Sequence, residues 1–274
     1  GGMSALVRQF RVRTVESAKA SERDDLLVAE EPLEIRIGHG PVDHRREMRL
    51  SVTMRTPGHD EELVRGFLFS EGIIVDQKDL LRVGPCWSVK AEEAGNVMRA
   101  ELDPAVLIDP ERWQRNFYTT SSCGVCGKSS IEAVQVANDR PLRSWGPVDG
   151  TLIMGLRDRM YAAQTVFQHT GGIHAAALFN RKGELLHLRE DVGRHNAVDK
   201  VIGAAAHDAA PTSDLILLVS GRAGFELVQK CVVAGIPMMV AIGAPSSLAV
   251  QLARTRGLTL IGFLRDHRFN QYAP

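Results

Sequence analysis

LILLVS (215–220), IPMMVAIG (236–243) and LTLIGFL (258–264) are three short apolar runs that begin about 21 residues apart. Between them, 223–234 and 246–256 carry apolar residues at helical spacing. Runs this short and this continuously apolar suit strands buried on both faces, which is the signature of parallel pairing. Strand–helix–strand alternation then requires crossovers of one hand, each returning its helix over the sheet. This stretch therefore predicts an α/β layer with a mostly parallel sheet.

Working outward, Asn196 to His207 reads as a helix, and 174–180 with 184–189 as a hairpin turning at Lys182-Gly183. Leu152, Leu156, Met160 and Ala163 give a helix over 151–164. Pro141, Gly146 and Pro147 mark a linker before it, and 130–137 reads as one more short helix. The first half alternates instead. Leu33, Ile35 and Ile37 form one period-2 set, and Met48, Leu50, Val52 and Met54 another, with further alternation around Val97. HDEELVRGFLFSE (59–71) has acids in its first turn and ends at Gly72, so it reads as a helix. The chain turns irregular from Asp103-Pro104 through Asp109-Pro110. The expected organisation is an unassigned segment (1–20), a small α+β domain (21–112), a cysteine-bearing loop (113–129) and an α/β domain (130–274).

Composition narrows the function classes. The 274 residues are 44% hydrophobic, and 33 Lys and Arg balance 33 Asp and Glu. A neutral chain lacks the basic footprint of a general nucleic-acid or membrane-surface binder. No run approaches the ~18 apolar residues of a membrane span, and no export signal is evident, so a cytoplasmic location is expected. Gly1-Gly2 before Met3 reads as the remnant of a cleaved tag. Four cysteines in so long a chain do not make a secreted disulfide framework, and Cys86 and Cys231 sit in apolar company as packing residues.

The other two thiols carry chemistry. Ser121-Ser122-Cys123-Gly124-Val125-Cys126-Gly127-Lys128 places Cys123 and Cys126 three apart in a Gly/Ser-rich loop ahead of a helix start. A helix N-terminus and a lysine draw a thiol pKa from about 8.5 into the ~3.5–7.5 range, producing the reactive thiolate. A structural zinc needs four ligands, and His169 or His174 would have to complete the set from about 45 residues away. A thioredoxin-type centre follows a strand, whereas Asn116 to Ser122 is polar and loop-like. A zinc deaminase requires H-x-E before P-C-x-x-C, yet here Ser122 replaces the proline and His174-Ala175-Ala176 lacks the glutamate. Sulfur carriage fits best: a thiolate accepts a sulfane sulfur as persulfide, and a neighbouring thiol releases it. The rival is a non-catalytic cofactor-binding chaperone whose CxxC is structural or holds zinc.

Ligand binding in open α/β sheets occurs at the carboxyl ends of strands. Ser220-Gly221-Arg222 follows the first apolar run, 243–247 the second, and Phe263-Leu264-Arg265-Asp266-His267-Arg268 the third. Arg222 suits a phosphate clamp, and the 263–268 stretch is a positive spot on a neutral protein. Ser246 or Ser247 alternatively caps a helix. His174 and His195 sit at loop-to-element junctions, with Asp199 one helical turn beyond His195, where a carboxylate would fix its tautomer.

SSCGVCGKSS (121–130), VFQHTGGIHAAAL (166–178), REDVGRHNAVDKVIG (189–203), LLVSGRAGFELVQK (217–230) and GFLRDHRFN (262–270) together resemble the formate dehydrogenase accessory sulfurtransferase (FdhD/NarQ) family. The similarity extends from about Leu26 to Asn270. The resemblance implies a homodimer with a cytidine deaminase-like C-terminal domain that lacks deaminase activity. It further implies sulfur taken from a cysteine desulfurase and delivered to Mo-bis(molybdopterin guanine dinucleotide) for formate dehydrogenase. Cys123 would carry the persulfide, Cys126 would assist, and Phe263 to Arg268 would hold the guanine dinucleotide. No bound metal beyond that molybdenum is implied.

Overall fold

The computed structural model describes residues 6–117, 141–166 and 170–274. Cys123 and Cys126, His169 and the helix expected over 130–137 lie outside the described residues.

The chain opens with a hairpin that the sequence reading did not anticipate. Strands β1 (Val7–Glu16) and β2 (Lys19–Val28) pair antiparallel around Ser17, which adopts φ 53°. Their alternation is one of charge rather than hydrophobicity. Arg11 faces Asp24 across the ribbon at 3.4 Å, and most of the hairpin is exposed.

Strands β3 (Glu31–His39), β4 (Arg46–Arg55), β5 (Leu80–Pro85) and β6 (Val97–Leu102) then form a sheet in the order β4-β3-β6-β5. The expected set on β3 and the first half of that on β4 supply its inner face, whereas beyond Leu50 the burial on β4 shifts to Ser51, Thr53 and Arg55 and leaves Met54 exposed. Leu33, Ile35, Ile37, Met48 and Leu50 are buried beneath helix α1 (Asp60–Ser70), which contributes Leu63, Val64 and Leu68. Helix α2 (Pro110–Phe117) closes this core with Trp113.

Helix α3 (Gly150–Ala163) leads into the second sheet. Its strands are β7 (His174–Phe179), β8 (Leu185–Asp191), β9 (Ile216–Val219), β10 (Met238–Ala241), β11 (Thr259–Gly262) and β12 (Asn270–Ala273). The order is β12-β11-β10-β9-β7-β8. The three apolar runs are parallel neighbours, as expected. The sheet as a whole is mixed rather than mostly parallel, because the β7–β8 hairpin and β12 flank that parallel centre antiparallel. Both faces are covered. Ala176, Leu178, Leu217, Val219 and Met239 pack under α4 (Arg194–Ala204), α5 (Phe225–Val233) and α6 (Ser247–Arg256). Ala177, Phe179, Ile216, Leu218 and Val240 pack against Ile153, Leu156 and Met160 of α3. Two-sided burial is why these strands show no polar alternation.

The two sheets meet through α1 and α4. Glycine in a helix interior is unfavourable by about 0.5–1 kcal/mol relative to alanine, yet Gly66 and Gly203 occupy such positions. A β-carbon on Gly66 would collide with the carbonyl oxygen of Asp199, and one on Gly203 with that of Glu62. The helices therefore touch backbone to backbone. Arg189 of β8 adds two bonds of 2.6 and 2.9 Å to Glu62. Burial pushes the Glu62 carboxyl up, but the bonds and charge of Arg189, with His59 and His187, hold it below its ordinary value.

A buried polar set completes the junction. Lys200 of α4 pairs with Asp191 at 2.7 Å and donates to the carbonyl of Thr56 at 2.8 Å. The amide of Thr56 donates to Asp191 at 3.1 Å, and its hydroxyl accepts from the amide of Val192 at 3.0 Å. Asn196 donates to the carbonyl of Met54 at 2.7 Å and accepts from the Thr53 hydroxyl at 3.0 Å. One turn further along α4, Asp199 accepts from Ser70 at 2.6 Å and from Lys230 at 3.0 Å. Burial would lower the Lys230 pKa, but Asp199 and Glu71 raise it well above the ordinary lysine value, so the ammonium stays charged.

Candidate functional site

The carboxyl ends of β9, β10 and β11 are laced together by their own backbone. The amide of Gly243 donates to Gly221 O at 2.9 Å, and the amide of Phe263 donates to Gly243 O at 3.0 Å. Ala223 and Pro245 form a further parallel bridge, with Ala223 N donating to Ala244 O at 3.1 Å. A β-carbon on Gly243 would lie 3.0 Å from Gly221 O and 3.1 Å from the nitrogen of Arg222, so glycine permits this approach. The result is one continuous rim carrying the loops at 220–224, 243–247 and 263–268.

β7 runs antiparallel to β9, which brings its first residue to the same rim. The His174 ring is half-buried, with Nδ1 3.5 Å from where a β-carbon on Gly221 would stand. Burial lowers its pKa, and the charges of Arg194 and His195 lower it further against the opposing pull of Asp191. Arg222 is exposed beside Gly221, and Arg194 is exposed at the first position of α4.

The third loop has an unusual backbone. Phe263 takes φ 51° and keeps its ring 37% exposed. A non-glycine residue in this region carries strain of order 1–3 kcal/mol, and such strain clusters at ligand clamps. Surrounding bonds hold it there. The Arg265 guanidinium donates to the carbonyls of Ile242 and Leu264, both at 2.8 Å, and lies 6.0 Å from the centre of the Phe263 ring. The amide of Arg265 donates to Arg268 O at 2.8 Å, closing the turn. Asp266 and His267 are exposed and pair at 2.5 Å, and that hydrogen bond and charge hold the Asp266 carboxyl below its ordinary range.

The expected binding residues therefore divide. His174, Gly221, Arg222, Phe263, Asp266, His267 and Arg268 converge on the rim with accessible surface. Leu264 does not, because its side chain is fully buried in the core beneath α3. Ser220 is also spent internally: its hydroxyl accepts from Ala175 N at 2.9 Å, and its amide donates to Ala175 O at 3.0 Å. Arg265 braces the loop with one nitrogen already committed to two carbonyls. Ser246 caps α6 through the amide of Ala249 at 3.3 Å. The pairing expected between His195 and Asp199 is absent. His195 binds Glu226 in the first turn of α5, while Asp199 faces the opposite way into the α1 junction.

Cys231 is fully buried, and desolvation raises its thiol pKa far above the ordinary value, consistent with an inert packing role. Cys86 differs from expectation: it is half-buried and lies 4.0 Å from the Arg36 guanidinium rather than in apolar company. Among the described residues, no helix is long and apolar enough to cross a membrane. No cluster of three or more His, Cys, Asp or Glu among them could hold a metal ion.

Residues 28–274 match the model of the FdhD/NarQ family. A Streptomyces coelicolor protein named sulfur carrier protein FdhD is 49% identical over 276 residues, covering 99% of this chain and 95% of its own length. A Mycobacterium tuberculosis protein of the same name is 48% identical over 269 residues, covering 96% and 95%. A crystal structure described as a formate dehydrogenase accessory protein from Desulfotalea psychrophila shares the fold. Its TM-score is 0.74 at 23% identity, over 98% of this chain and 97% of that one. With its family model matched from residue 28 to the C-terminus and relatives nearly half identical along almost their whole length, the chain belongs to the FdhD/NarQ family.

Proposed function

We propose that this protein is a sulfur carrier in formate dehydrogenase maturation, loaded by a cysteine desulfurase and emptied onto Mo-bis(molybdopterin guanine dinucleotide) held at the strand-end rim. In the loading step the Cys123 thiolate attacks the sulfane sulfur of the donor's persulfide. A new sulfur–sulfur bond forms on Cys123, and the donor leaves as a thiolate. In the release step the Cys126 thiolate attacks the Cys123 sulfur and expels hydrosulfide, which bonds to the molybdenum of the substrate cofactor. A Cys123–Cys126 disulfide remains, and a dithiol reductant resets it with two electrons. The working unit is a homodimer in this reading.

The backbone lacing of Gly221, Gly243 and Phe263 carries the binding half. It gathers three strand ends into a single rim with Arg222 and Arg268 exposed for the phosphates and the Phe263 ring exposed for a base. Asp266, kept ionised by His267, accepts from the donor edge of guanine. The names of the relatives support the sulfur half.

Calorimetric titration with GDP tests the rim without any sulfur chemistry. Wild-type protein should bind, and joint replacement of Arg222 and Arg268 by alanine should weaken binding by on the order of tenfold or more, since hydrogen bonds to charged groups contribute about 1.5–3 kcal/mol. An unbound wild type, or a double variant of undiminished affinity, contradicts this use of the rim.

A further inference from the structure

Among the described residues of the rim, His174 has a ring without a hydrogen-bond partner. Asp191, its register neighbour on β8, is fully buried and already engaged by Lys200 and by the amides of Gly193 and Thr56. His195 on α4 is taken by Glu226 of α5. The remaining charge facing the ring is cationic, Arg194 at the start of α4, and Arg222 is exposed beside Gly221. Among the described residues, the imidazole has no hydrogen-bond partner.

We infer that His174 is the proton-linked anion contact of this rim, so that seating a phosphate-bearing ligand against Gly221 takes up a proton from solution onto its imidazole. The inference rests on the nucleotide reading of the rim and adds to it a residue role and a pH dependence. In the free protein an imidazolium would sit half-buried near the Arg194 guanidinium, with no uncommitted carboxylate beside it among the described residues, so the neutral ring is favoured. Burial and the neighbouring cations push its pKa down accordingly. A phosphate supplies what is missing. An opposite charge within about 4–6 Å favours the charged form, and both ring nitrogens of the imidazolium are donors. The ligand thereby raises the same pKa that the empty site lowers. By linkage, affinity must then fall as pH rises between the free and bound values.

GDP titrations at about pH 7.5, in two buffers of unlike ionisation enthalpy, read the proton directly. The wild type should take up about 0.5–1 proton per GDP, with affinity falling by up to about tenfold per pH unit. His174→Asn should bind GDP with no uptake and a flat profile, a result that also removes any contribution from the phosphates themselves. Histidine-selective NMR of the wild type gives a reading that needs no variant: the His174 ring should move to its imidazolium shift on saturation with GDP. Binding without proton uptake, equal uptake in His174→Asn, or a ring that stays neutral overturns the inference while leaving the nucleotide reading intact. Failure of the wild type to bind GDP at all overturns both.

Discussion

Replacing Cys123 with alanine is expected to abolish sulfur loading completely while leaving GDP affinity unchanged. Desulfurase and cysteine should add the mass of one sulfur atom to the wild-type chain and nothing to the variant, as read by intact mass spectrometry. The reason is chemical. Cys231 is fully buried with its thiol pKa driven upward, so it supplies no thiolate. Cys86 lies in the first sheet's neighbourhood, after β5, far along the chain from the strand-end rim. Cys126→Ala should behave differently, loading normally and releasing slowly, so that the persulfide form accumulates. Full loading of Cys123→Ala would remove the carrier role from this thiol.

The second large effect concerns stability. Asp191→Ala should destabilise the protein by about 3–5 kcal/mol, because it strands the Lys200 ammonium in a fully buried site. The same change unpairs the amides of Thr56 and Gly193 and loosens the β8 end that flanks His174. For a chain of this size the melting temperature should drop by on the order of 10 °C. Thermal unfolding followed by circular dichroism checks it. Lys200→Met together with Asp191→Ala should recover part of the loss, since an apolar pair of similar volume replaces a buried ion pair at little net cost. A single Asp191→Ala variant that melts with the wild type would mean that the junction is not held by this pair.

The apolar runs at 215–264 made the central sheet legible, because two-sided burial leaves β9, β10 and β11 apolar apart from Thr259. The strand-end rule also brings Gly221, Arg222 and Phe263 together, since they follow neighbouring parallel strands. What stayed hidden has physical causes. The β1–β2 ribbon buries little, so no hydrophobic period marks it. Leu264 and Ser220 fall inside the right motifs but point the wrong way, which motif spacing alone does not encode. The α1–α4 junction rests on polar groups that a hydrophobicity pattern reads as surface. Asp199 and Lys200 nevertheless follow Asn196 by three and four residues, one turn along α4, and all three are buried. That helix has polar residues on a buried side because it packs against a second sheet, not against water. The partner of His195 is hidden for the same reason: Asp199 shares its helix but faces α1, and Glu226 arrives from α5.

A single-turnover chase joins the two halves of this account. Protein loaded with one sulfur on Cys123, freed of desulfurase, is mixed with the guanine-dinucleotide molybdenum cofactor, and the mass of the chain is followed. The wild type should lose the added sulfur promptly, and the Arg222→Ala, Arg268→Ala double variant should retain it. Sulfur that stays on the wild-type chain, or that leaves both proteins equally fast, would contradict delivery from this thiol into this rim.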